Sequence, residues 1–514
     1  MSALNNDVLS RFERWNSTEM KMLGGIEAIL ALVMLFPALY GFILDEDPMI
    51  FLIPFPFLFT IGIVQYLLFG PSTNFRTVNG LIMVGLTWAA MFVIGAIPYL
   101  LAGMVPIDAF FESVNGFTTT GSTSVTDVHL WPESLMVWRS MTQWIGGIAV
   151  VIIFMYILPM FGMGRTFFSN ELEGSGSSQF SMRLRSAAKS FIMVYVLLTV
   201  INFVLLILVQ ASFVDALCLA FTTISTGGLL YTNESVMNMS IWVQVITMVF
   251  MFIGGVNFYL HFKAIVGKNP KAYTENKEFL YLITYFVVIA TVIFLIYAAP
   301  KFGSAGFDLD AILTDYKNAL FTVIALGTTT GASCFDFCEY PEIIMFILLI
   351  VMLIGASAGS TSGGIKIGRI RIMVRFFSNI FKNILHPNAV YDVKVDGESI
   401  DDSRVLSAVS ITLLYIMTAF AAVVILLANG LNWTDSLGLA VATISNTGVG
   451  FGDFGPTGSF SVLSDGIKIF LMFLMWVGRL EISLALVFLT PTFWSDLFFT
   501  VHHRSRSKSI EKRK

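Results

Sequence analysis

Charged side chains are scarce in this 514-residue sequence, in which Asp, Glu, Lys and Arg together make up 12% of the residues. Soluble proteins carry about 25% charged residues, so the polar side chains needed to cover several water-facing domains are missing. The 30 Lys and Arg residues are balanced by 34 Asp and Glu residues, which leaves no basic excess for binding nucleic acid. The three cysteines are too few for a disulfide scaffold.

Nucleotide-binding and catalytic motifs are missing as well. No Gly-x-Gly-x-x-Gly follows a strand pattern and no Walker motif occurs, so we expect no organic cofactor on this chain. The five histidines do not cluster: His502 and His503 lie near the end of the chain, His386 in a loop, and His129 and His261 at the edges of apolar runs. A membrane-embedded enzyme would need clustered ligands or carboxylates, so we do not expect an enzyme.

Long apolar runs dominate what is present, since 56% of the residues are hydrophobic and the mean hydropathy is +0.80. A helix needs about 20 mostly apolar residues to cross a bilayer. The first run is too long for a signal peptide. The composition therefore predicts an all-α polytopic membrane protein, with ten candidate spans at 24–44, 49–70, 78–103, 134–162, 188–212, 238–265, 279–300, 342–373, 404–429 and 464–497.

Lysine and arginine lie on alternate connections between these spans, and the other connections are acidic. Arg76, Lys263 and Arg369 mark three of the basic connections, whereas Asp45 and Asp308 mark two of the acidic ones. Basic loops stay on the cytoplasmic side of a membrane. We therefore expect a multi-pass protein of the cytoplasmic (inner) membrane with both termini in the cytoplasm.

An internal repeat occupies the acidic connections after the third, fifth, seventh and ninth spans. Each copy is a short helix-like stretch that opens with an acidic residue and closes with a Thr-Gly pair. The closing glycines lie 106, 104 and 117 residues apart, which predicts one unit used four times. The copies run from Asp108 to Gly121, from Asp215 to Gly227, from Asp315 to Gly331 and from Asp435 to Gly448.

The chemistry of this unit suggests a path for a cation. The four aspartates suit helix N-caps, and the partially negative C-terminus of each short helix would then point toward a common axis. Glycine permits backbone angles that turn successive carbonyl groups toward that axis. Rings of carbonyl and hydroxyl oxygens can replace the hydration shell of a cation. A uniform ring favours potassium, which gives up its water more readily than sodium.

The repeat divides the chain into seven parts: a two-helix N-terminal extension (1–76), repeat 1 (77–165), repeat 2 (186–268), repeat 3 (278–384), a cytoplasmic hairpin loop (385–403), repeat 4 (404–500) and a basic cytoplasmic tail (501–514). Alternating apolar residues before Asp396-Gly397 predict the hairpin. We expect the hairpin to be a docking surface. The tail would bind anionic lipid or the same partner.

Span 8 contains a run of ten small residues, 355–364, followed by Ile365 and Lys366. One interpretation is close packing of helices by small residues. The other is a broken helix, because these residues are poor helix formers with much hydrogen-bonding capacity. Its loop would lie under the ring of oxygens and gate it. Lys366 would then hold the loop closed or repel waiting cations.

A few other side chains suggest specific roles. Arg479 in the last span either projects its charge into the ion path or is a structural arginine bonded to carbonyl groups. Glu112 and Arg139 are predicted to form a buried ion pair that braces the first short helix. Cys334 and Cys338 could pair as a disulfide at the outer mouth or remain free thiols.

The chain resembles the Trk/Ktr potassium transporter superfamily, in particular its TrkH-type membrane subunits. The resemblance covers nearly the whole chain and rests on residues 110–113, 118–122, 138–147, 359–366 and 478–481. It implies that two N-terminal spans precede four M1–P–M2 repeats, which form a single-pore pseudotetramer. It also implies a homodimer with one pore per chain, and a cytoplasmic TrkA-type ring of Rossmann-type (RCK) subunits that binds nucleotides.

The resemblance implies potassium uptake as the function and K⁺ as the transported ion. It places the selectivity filter at Thr119, Thr120, Gly121, Ser225, Thr226, Gly227, Thr329, Thr330, Gly331, Asn446, Thr447 and Gly448. It places the gate at Gly355, Gly359, Ser360, Thr361, Gly363, Gly364, Lys366 and Arg479. Glycine rather than serine at position 121 favours potassium over sodium. The alternative is a cation-coupled secondary transporter (K⁺/H⁺ or Na⁺ symport), a class that usually has two inverted halves.

Overall fold

The computed structural model describes residues 17–70, 77–156, 177–298, 309–387, 391–396 and 398–495. Its helices are α1 (Ser17–Ile43), α2 (Met49–Leu52), α3 (Pro54–Leu68), α4 (Thr77–Leu101), α5 (Pro106–Phe117), α6 (Glu133–Tyr156), α7 (Ser177–Leu208), α8 (Phe213–Ile224), α9 (Ile241–Gly255), α10 (Phe258–Ile265), α11 (Lys271–Glu275), α12 (Lys277–Ala298), α13 (Leu309–Gly327), α14 (Glu342–Ile354), α15 (Ile367–Leu385), α16 (Asp402–Ala428), α17 (Trp433–Ile444), α18 (Asp465–Arg479) and α19 (Ile482–Val487). Two strands, β1 (Lys394–Val395) and β2 (Glu398–Ser399), form a hairpin.

The chain divides into two compact units. Residues 1–103 and 480–514 form the first unit, and residues 104–479 form the second. In the first unit, α1 and α3 cross at a pair of glycines. A Cβ atom on Gly24 would lie 2.6 Å from the carbonyl oxygen of Gly62, and one on Gly62 would lie 2.6 Å from that of Gly24. Only glycine lets two helix backbones approach this closely.

The second unit contains the four short helices predicted from the repeat, namely α5, α8, α17 and the last part of α13. The aspartates do not cap them as predicted. Ser212 and Asn432 are the N-caps of α8 and α17, and their side chains accept hydrogen bonds from the backbone N–H groups of Asp215 and Asp435. The side chains of each pair also bond to each other, at 2.6 and 2.7 Å, as in a capping box.

The aspartates of the other two repeats do not cap their helices either. Val105 precedes α5, and Asp108 lies in the first turn of that helix. Asp315 lies well inside α13, which begins at Leu309. The prediction placed the helix starts too late in all four repeats because it assigned the cap to the aspartate itself.

Within the described residues, six helices are long and apolar enough to cross a membrane. The pair α9 and α10, bent by 102° at residues 256–257, would make a seventh span. The prediction of continuous spans is therefore wrong for 238–265 and 464–497, which are both broken. Span 342–373 is broken between α14 and α15, which agrees with the second of its two interpretations. The predicted span 134–162 is described as a helix to Tyr156.

The predicted hairpin forms between residues 394 and 399. Lys394 pairs with Ser399 and Val395 with Glu398, so the turn falls at Asp396-Gly397, of which Gly397 lies outside the described residues. Asp396 has a φ of 61°, which suits a tight hairpin turn. The basic tail at 501–514 lies wholly outside the described residues.

Cys334 and Cys338 are free thiols, so the structure has the second of the two predicted alternatives. Cys334 is buried, and its Sγ lies 3.5 Å from Oδ1 of Asn318. Burial raises the pKa of the Cys334 thiol to about 11. Burial, followed by the charge of Asp336, raises the pKa of the Cys338 thiol to about 12.

We predict that Gly24→Ala lowers the melting temperature of the purified protein in detergent, because the added methyl group meets the backbone of α3. Overpacking of this kind costs about 1–3 kcal/mol. Gly25→Ala is the matched control, since a Cβ atom there would make an ordinary 3.5 Å contact with Tyr66. Equal melting temperatures for the two variants would contradict the described crossing.

We also predict that Cys334 and Cys338 react slowly with a maleimide at pH 7 in the native protein, since both thiols remain protonated well above that pH. Both should react rapidly after denaturation without any reductant, and Cys338→Ser should remove one label. Labelling that appears only after reduction would show a disulfide instead.

Candidate functional site

The four Thr-Gly segments, 118–121, 225–228, 328–331 and 445–448, adopt the same backbone conformation directly after a short helix. The second residue of each has a left-handed φ of 51–56°, in Thr119, Thr226, Thr329 and Asn446. The fourth residue is a glycine with φ between 75° and 91°, in Gly121, Gly228, Gly331 and Gly448. The third residue of each donates its N–H to a carbonyl five residues earlier, at 2.8–3.1 Å. These four segments with the same conformation are what the predicted repeat corresponds to in the structure.

This conformation corrects the predicted register of the second repeat. The prediction aligned Ser225, Thr226 and Gly227 with Thr119, Thr120 and Gly121. Helix α8 ends at Ile224, and Gly228 rather than Gly227 has the positive φ. The equivalent trio is therefore Thr226, Gly227 and Gly228, and Ser225 matches the first residue of the other segments.

The segments meet in a closed ring. A Cβ atom on Gly121 would lie closer than 3.0 Å to the carbonyl oxygen of Gly227, a distance that real Cβ atoms essentially never show. The same relation joins Gly228 to Thr330, Gly331 to Thr447, and Gly448 back to Thr120. Each glycine thus makes room for the third-position carbonyl of the next repeat in sequence order. We call these four segments the ring.

The ring is built from neutral oxygen-bearing groups in a buried position. The first-position hydroxyls of Thr118, Ser225, Thr328 and Ser445 donate to carbonyl groups of the preceding helix at 2.6–2.8 Å. In three repeats the third-position threonine hydroxyl lies 2.7–2.8 Å from that first hydroxyl. Because the first hydroxyl already donates elsewhere, the third one donates to it and can still accept hydrogen bonds. The Thr120 hydroxyl accepts one from Nδ2 of Asn446 at 3.0 Å.

Glu112 and Arg139 form the predicted buried ion pair, with 2.7 Å between Arg139 Nε and Glu112 Oε2. The other carboxylate oxygen accepts three hydrogen bonds, from the N–H and hydroxyl of Ser124 and from the hydroxyl of Thr123. Arg139 also donates to the carbonyl oxygen of Leu230 in the second repeat. The pair therefore joins α5 and α6 to the backbone that follows two of the ring segments.

Gln143 was missed by the sequence reasoning. It lies on α6, where its Nε2 donates to the carbonyl oxygen of Gly227 at 2.7 Å. Its Oε1 accepts from the hydroxyl of Thr222 at 2.5 Å and from the N–H of Leu229 at 3.1 Å. A neutral amide in an apolar helix is less conspicuous than an arginine. The only signal for Gln143 in the sequence was its place in the segment 138–147, on which the family resemblance rests.

The loop 355–364 separates α14 from α15 and contacts three of the four ring segments. The hydroxyl of Thr361 lies 3.3 Å from that of Thr226, and the N–H of Gly363 donates to the hydroxyl of Thr329 at 2.6 Å. A Cβ atom on Gly363 would collide with the carbonyl oxygen of Ser445. The hydroxyl of Thr119, in the remaining segment, is buried and has no hydrogen-bond partner within the described part of the chain. The loop thus covers the end of the ring that carries its first two positions.

The other predicted gate residues shape this loop. Gly355, Gly359 and Gly364 have φ values of 70–75°, which favour glycine. The hydroxyl of Ser360 donates within the loop to the carbonyl of Ser357, at 2.6 Å. Lys366 is buried at the start of α15, and its Nζ donates to the carbonyl and hydroxyl oxygens of Ser362. Lys366 therefore links the start of α15 to Ser362 in the loop.

Arg479 is the last residue of α18, so the predicted span 464–497 is interrupted directly after it. Its Nη1 donates to the carbonyl oxygen of Thr361 at 2.7 Å. It forms no ion pair with a carboxylate of the described residues, and Nε and Nη2 have no partner there. A buried guanidinium is thus directed at the loop with its charge uncompensated.

Helices α12 and α15 contact both the loop and the predicted hairpin. The N–H of Ala358 in the loop donates to the carboxylate of Glu278 at 3.2 Å. Arg371 on α15 lies over the ring of Tyr281, 4.3 Å from its centroid, and donates to the carboxylate of Asp396 in the hairpin turn. A force on the hairpin can therefore reach the helix that directly follows the loop.

Known proteins resemble this chain in sequence and in fold. Residues 50–499 match the TrkH family, described as cation transport protein. The chain is 30% identical over 491 residues to the Trk system potassium uptake protein TrkH of Vibrio parahaemolyticus, covering 92% of this chain and 98% of that protein. It is 30% identical over 426 residues to the protein of the same name from Escherichia coli K12, covering 81% of this chain and 86% of that one.

The structural comparison agrees. The crystal structure of the potassium transporter TrkH from Vibrio parahaemolyticus matches with a TM-score of 0.83 at 30% identity, covering 93% of this chain and all of the other. The chain therefore belongs to the TrkH family of cation transport proteins, which are ion transporters rather than enzymes, and it is a multi-pass helical membrane protein.

Proposed function

We propose that this protein takes up potassium ions across the cytoplasmic membrane and that the ring is its selectivity filter. The observation that carries the proposal is the cyclic contact of each ring glycine with the carbonyl of the next repeat. Such closure surrounds one axis with four copies of the same oxygen-bearing backbone. Relatives over most of the chain are named potassium uptake proteins.

The ion-binding groups in this proposal are the carbonyl and hydroxyl oxygens of the second to fourth ring positions. The C-termini of four short helices meet at the ring, and their dipoles favour a cation there. The ring residues are threonine, serine, asparagine and glycine, which do not titrate. A path without a titratable group fits ion passage better than proton-coupled symport through the ring itself.

The loop 355–364 and Arg479 act as the gate in this proposal. The loop contacts the first two positions of three ring segments, through neutral hydrogen bonds to Thr226 and Thr329 that water can replace and through packing of Gly363 against Ser445. Arg479 holds the loop through Thr361 and presents a positive charge that a passing cation must overcome. The contacts that α12 makes with the loop and α15 makes with the hairpin would carry a signal from the cytoplasmic side.

The proposal also covers the topology, the oligomeric state and the partner of the protein. Four M1–P–M2 repeats form the single-pore pseudotetramer, both termini are cytoplasmic, and two chains form a homodimer. A TrkA-type ring of nucleotide-binding subunits docks on the cytoplasmic face, where the hairpin offers a small ordered surface. The sequence carries no nucleotide-binding motif of its own, which is consistent with regulation from a separate chain.

We predict that Gly228→Ala abolishes potassium preference and most rubidium uptake in proteoliposomes, because its Cβ atom would collide with the carbonyl of Thr330. Gly430→Ala is the matched control: Gly430 has an equally left-handed φ of 90°, but nothing lies within 4 Å of its Cβ position. Each 1.4 kcal/mol of lost differential binding lowers the preference about tenfold. Normal, selective uptake by Gly228→Ala would refute the filter assignment.

We predict that Thr361→Val increases rubidium flux in liposomes that contain no partner protein. The substitution keeps the side-chain shape but removes hydroxyl contacts to Ile224, Gly254 and Thr226. Loss of about 1 kcal/mol from the closed state shifts the closed-to-open ratio about fivefold.

The control for this experiment is Ser360→Ala, since the Ser360 hydroxyl bonds only within the loop, to Ser357 and Ser362. Flux that stays at the wild-type level in Thr361→Val, while Gly228→Ala abolishes uptake, would mean that the loop does not gate the ring.

A further inference from the structure

The ring is irregular at its third position. Its third residue is a threonine in three repeats, Thr120, Thr330 and Thr447, but Gly227 in the second repeat. Gly227 is not among the glycines with positive φ, so its backbone does not demand glycine. The absence of a side chain at position 227 must therefore have another cause.

Gln143 occupies the space that the missing side chain would take. A Cβ atom on Gly227 would lie 2.5 Å from Oε1 and 2.8 Å from Nε2 of Gln143. The amide takes over the bonding role as well, since it links Gly227, Thr222 and Leu229. The third residue of the second repeat is therefore held by a side chain from the first repeat, whereas the third residues of the others bond to a hydroxyl of their own segment. Thr120 has an additional bond from Asn446 of the fourth repeat.

Because Gln143 lies beside Gly227, one carbonyl group of the ring differs from the other three. The carbonyl oxygen of Gly227 accepts a hydrogen bond from Gln143 at 2.7 Å. Within the described residues, no side chain donates to the carbonyl oxygens of Thr120, Thr330 or Thr447. The bond fixes the position of the Gly227 oxygen and draws on one of its two lone pairs.

We propose that Gln143 is a positioning residue that sets the preference of the ring for potassium over sodium by holding the carbonyl of Gly227. The inference rests on the proposed function of the ring as the ion path. A carbonyl released from this bond can move toward a smaller ion, so loss of the amide favours sodium. Gln143 itself lies behind the ring and does not touch the ion.

The test compares variants of the full-length protein in proteoliposomes by radioactive rubidium uptake, with potassium or sodium as competitor. Gln143→Glu keeps the acceptor for Thr222 and Leu229 but removes the donor to Gly227. It should lower the ratio of potassium to sodium potency about fivefold, the effect of one hydrogen bond, while rubidium uptake without competitor changes less. Gln143→Ala should do the same.

The decisive variant combines Gln143→Ala with Gly227→Thr. A threonine at this place has Ser225 as its hydroxyl partner, just as Thr447 has Ser445 at 2.7 Å. The double variant should recover most of the preference that Gln143→Ala loses, whereas Gly227→Thr alone should be inactive because it collides with Gln143. If the role of Gln143 were purely structural, its replacement would lower the amount of folded protein and leave the ratio of potassium to sodium potency unchanged.

Gln244→Ala is the matched control, because the Gln244 amide is also buried but bonds to Lys317 and to the carbonyls of Val236, Met237 and Met239, away from the ring. A wild-type ratio in Gln143→Glu, or a double variant no better than Gln143→Ala, would overturn the inference. Absence of rubidium uptake by the wild-type protein would instead overturn the proposed function.

Discussion

The close approach of four glycines to four carbonyl groups is the constraint on which the rest of the second unit depends. Each ring glycine must be in a left-handed conformation, and each must lack a side chain, because the carbonyl of the next repeat lies in that place. The relation is cyclic, so no segment can take up its shape without its neighbour. The four segments therefore adopt their conformation cooperatively. The surrounding side chains hold the segments in register with one another.

The two ends of the ring are held by different kinds of interaction. Behind and outside it, Glu112 and Arg139 combine an ion pair with three further hydrogen bonds to backbone and hydroxyl groups, an arrangement that is costly to break once buried. At the opposite end, the contacts of the loop 355–364 with the ring and the neighbouring helices include neutral hydrogen bonds of Thr361 and Gly363. Neutral hydrogen bonds contribute little net free energy when water can replace them. The direct attachment of the loop to the ring thus uses different chemistry from the buried ion pair.

The features visible in the sequence were those set by residue type and local spacing. The fourfold repeat, the break in span 8, the Asp396 turn and the pairing of Glu112 with Arg139 all follow from such patterns. The register of the second repeat did not, because adjacent glycines at 227 and 228 leave two ways to read a Thr-Gly pair. Only the end of α8 at Ile224 decides between them.

Other features depended on tertiary context. Ser212 and Asn432 cap helices that the neighbouring aspartates seemed to start. The helix break at Val256-Asn257 contains neither glycine nor proline, although Gly254 and Gly255 immediately precede it. Arg479 lies at a helix end only because α18 stops there, and the span around it reads as continuous in hydropathy. Gln143 acquires its role from a glycine 84 residues away in the sequence.

Carrying all four segments on one polypeptide has a consequence for how the ring can vary. In an assembly of four identical subunits, one codon change alters four positions at once. Here Gly478 packs against the end of α17 as Gly146 does against the end of α5, yet the next residue is Arg479 in the fourth repeat and Gly147 in the first. Four guanidinium groups around one axis would repel each other and, in the proposed ion path, would block a cation, whereas a single one leaves a smaller barrier. Because the four segments differ in sequence, a single mutation changes the ring and its surroundings by one side chain.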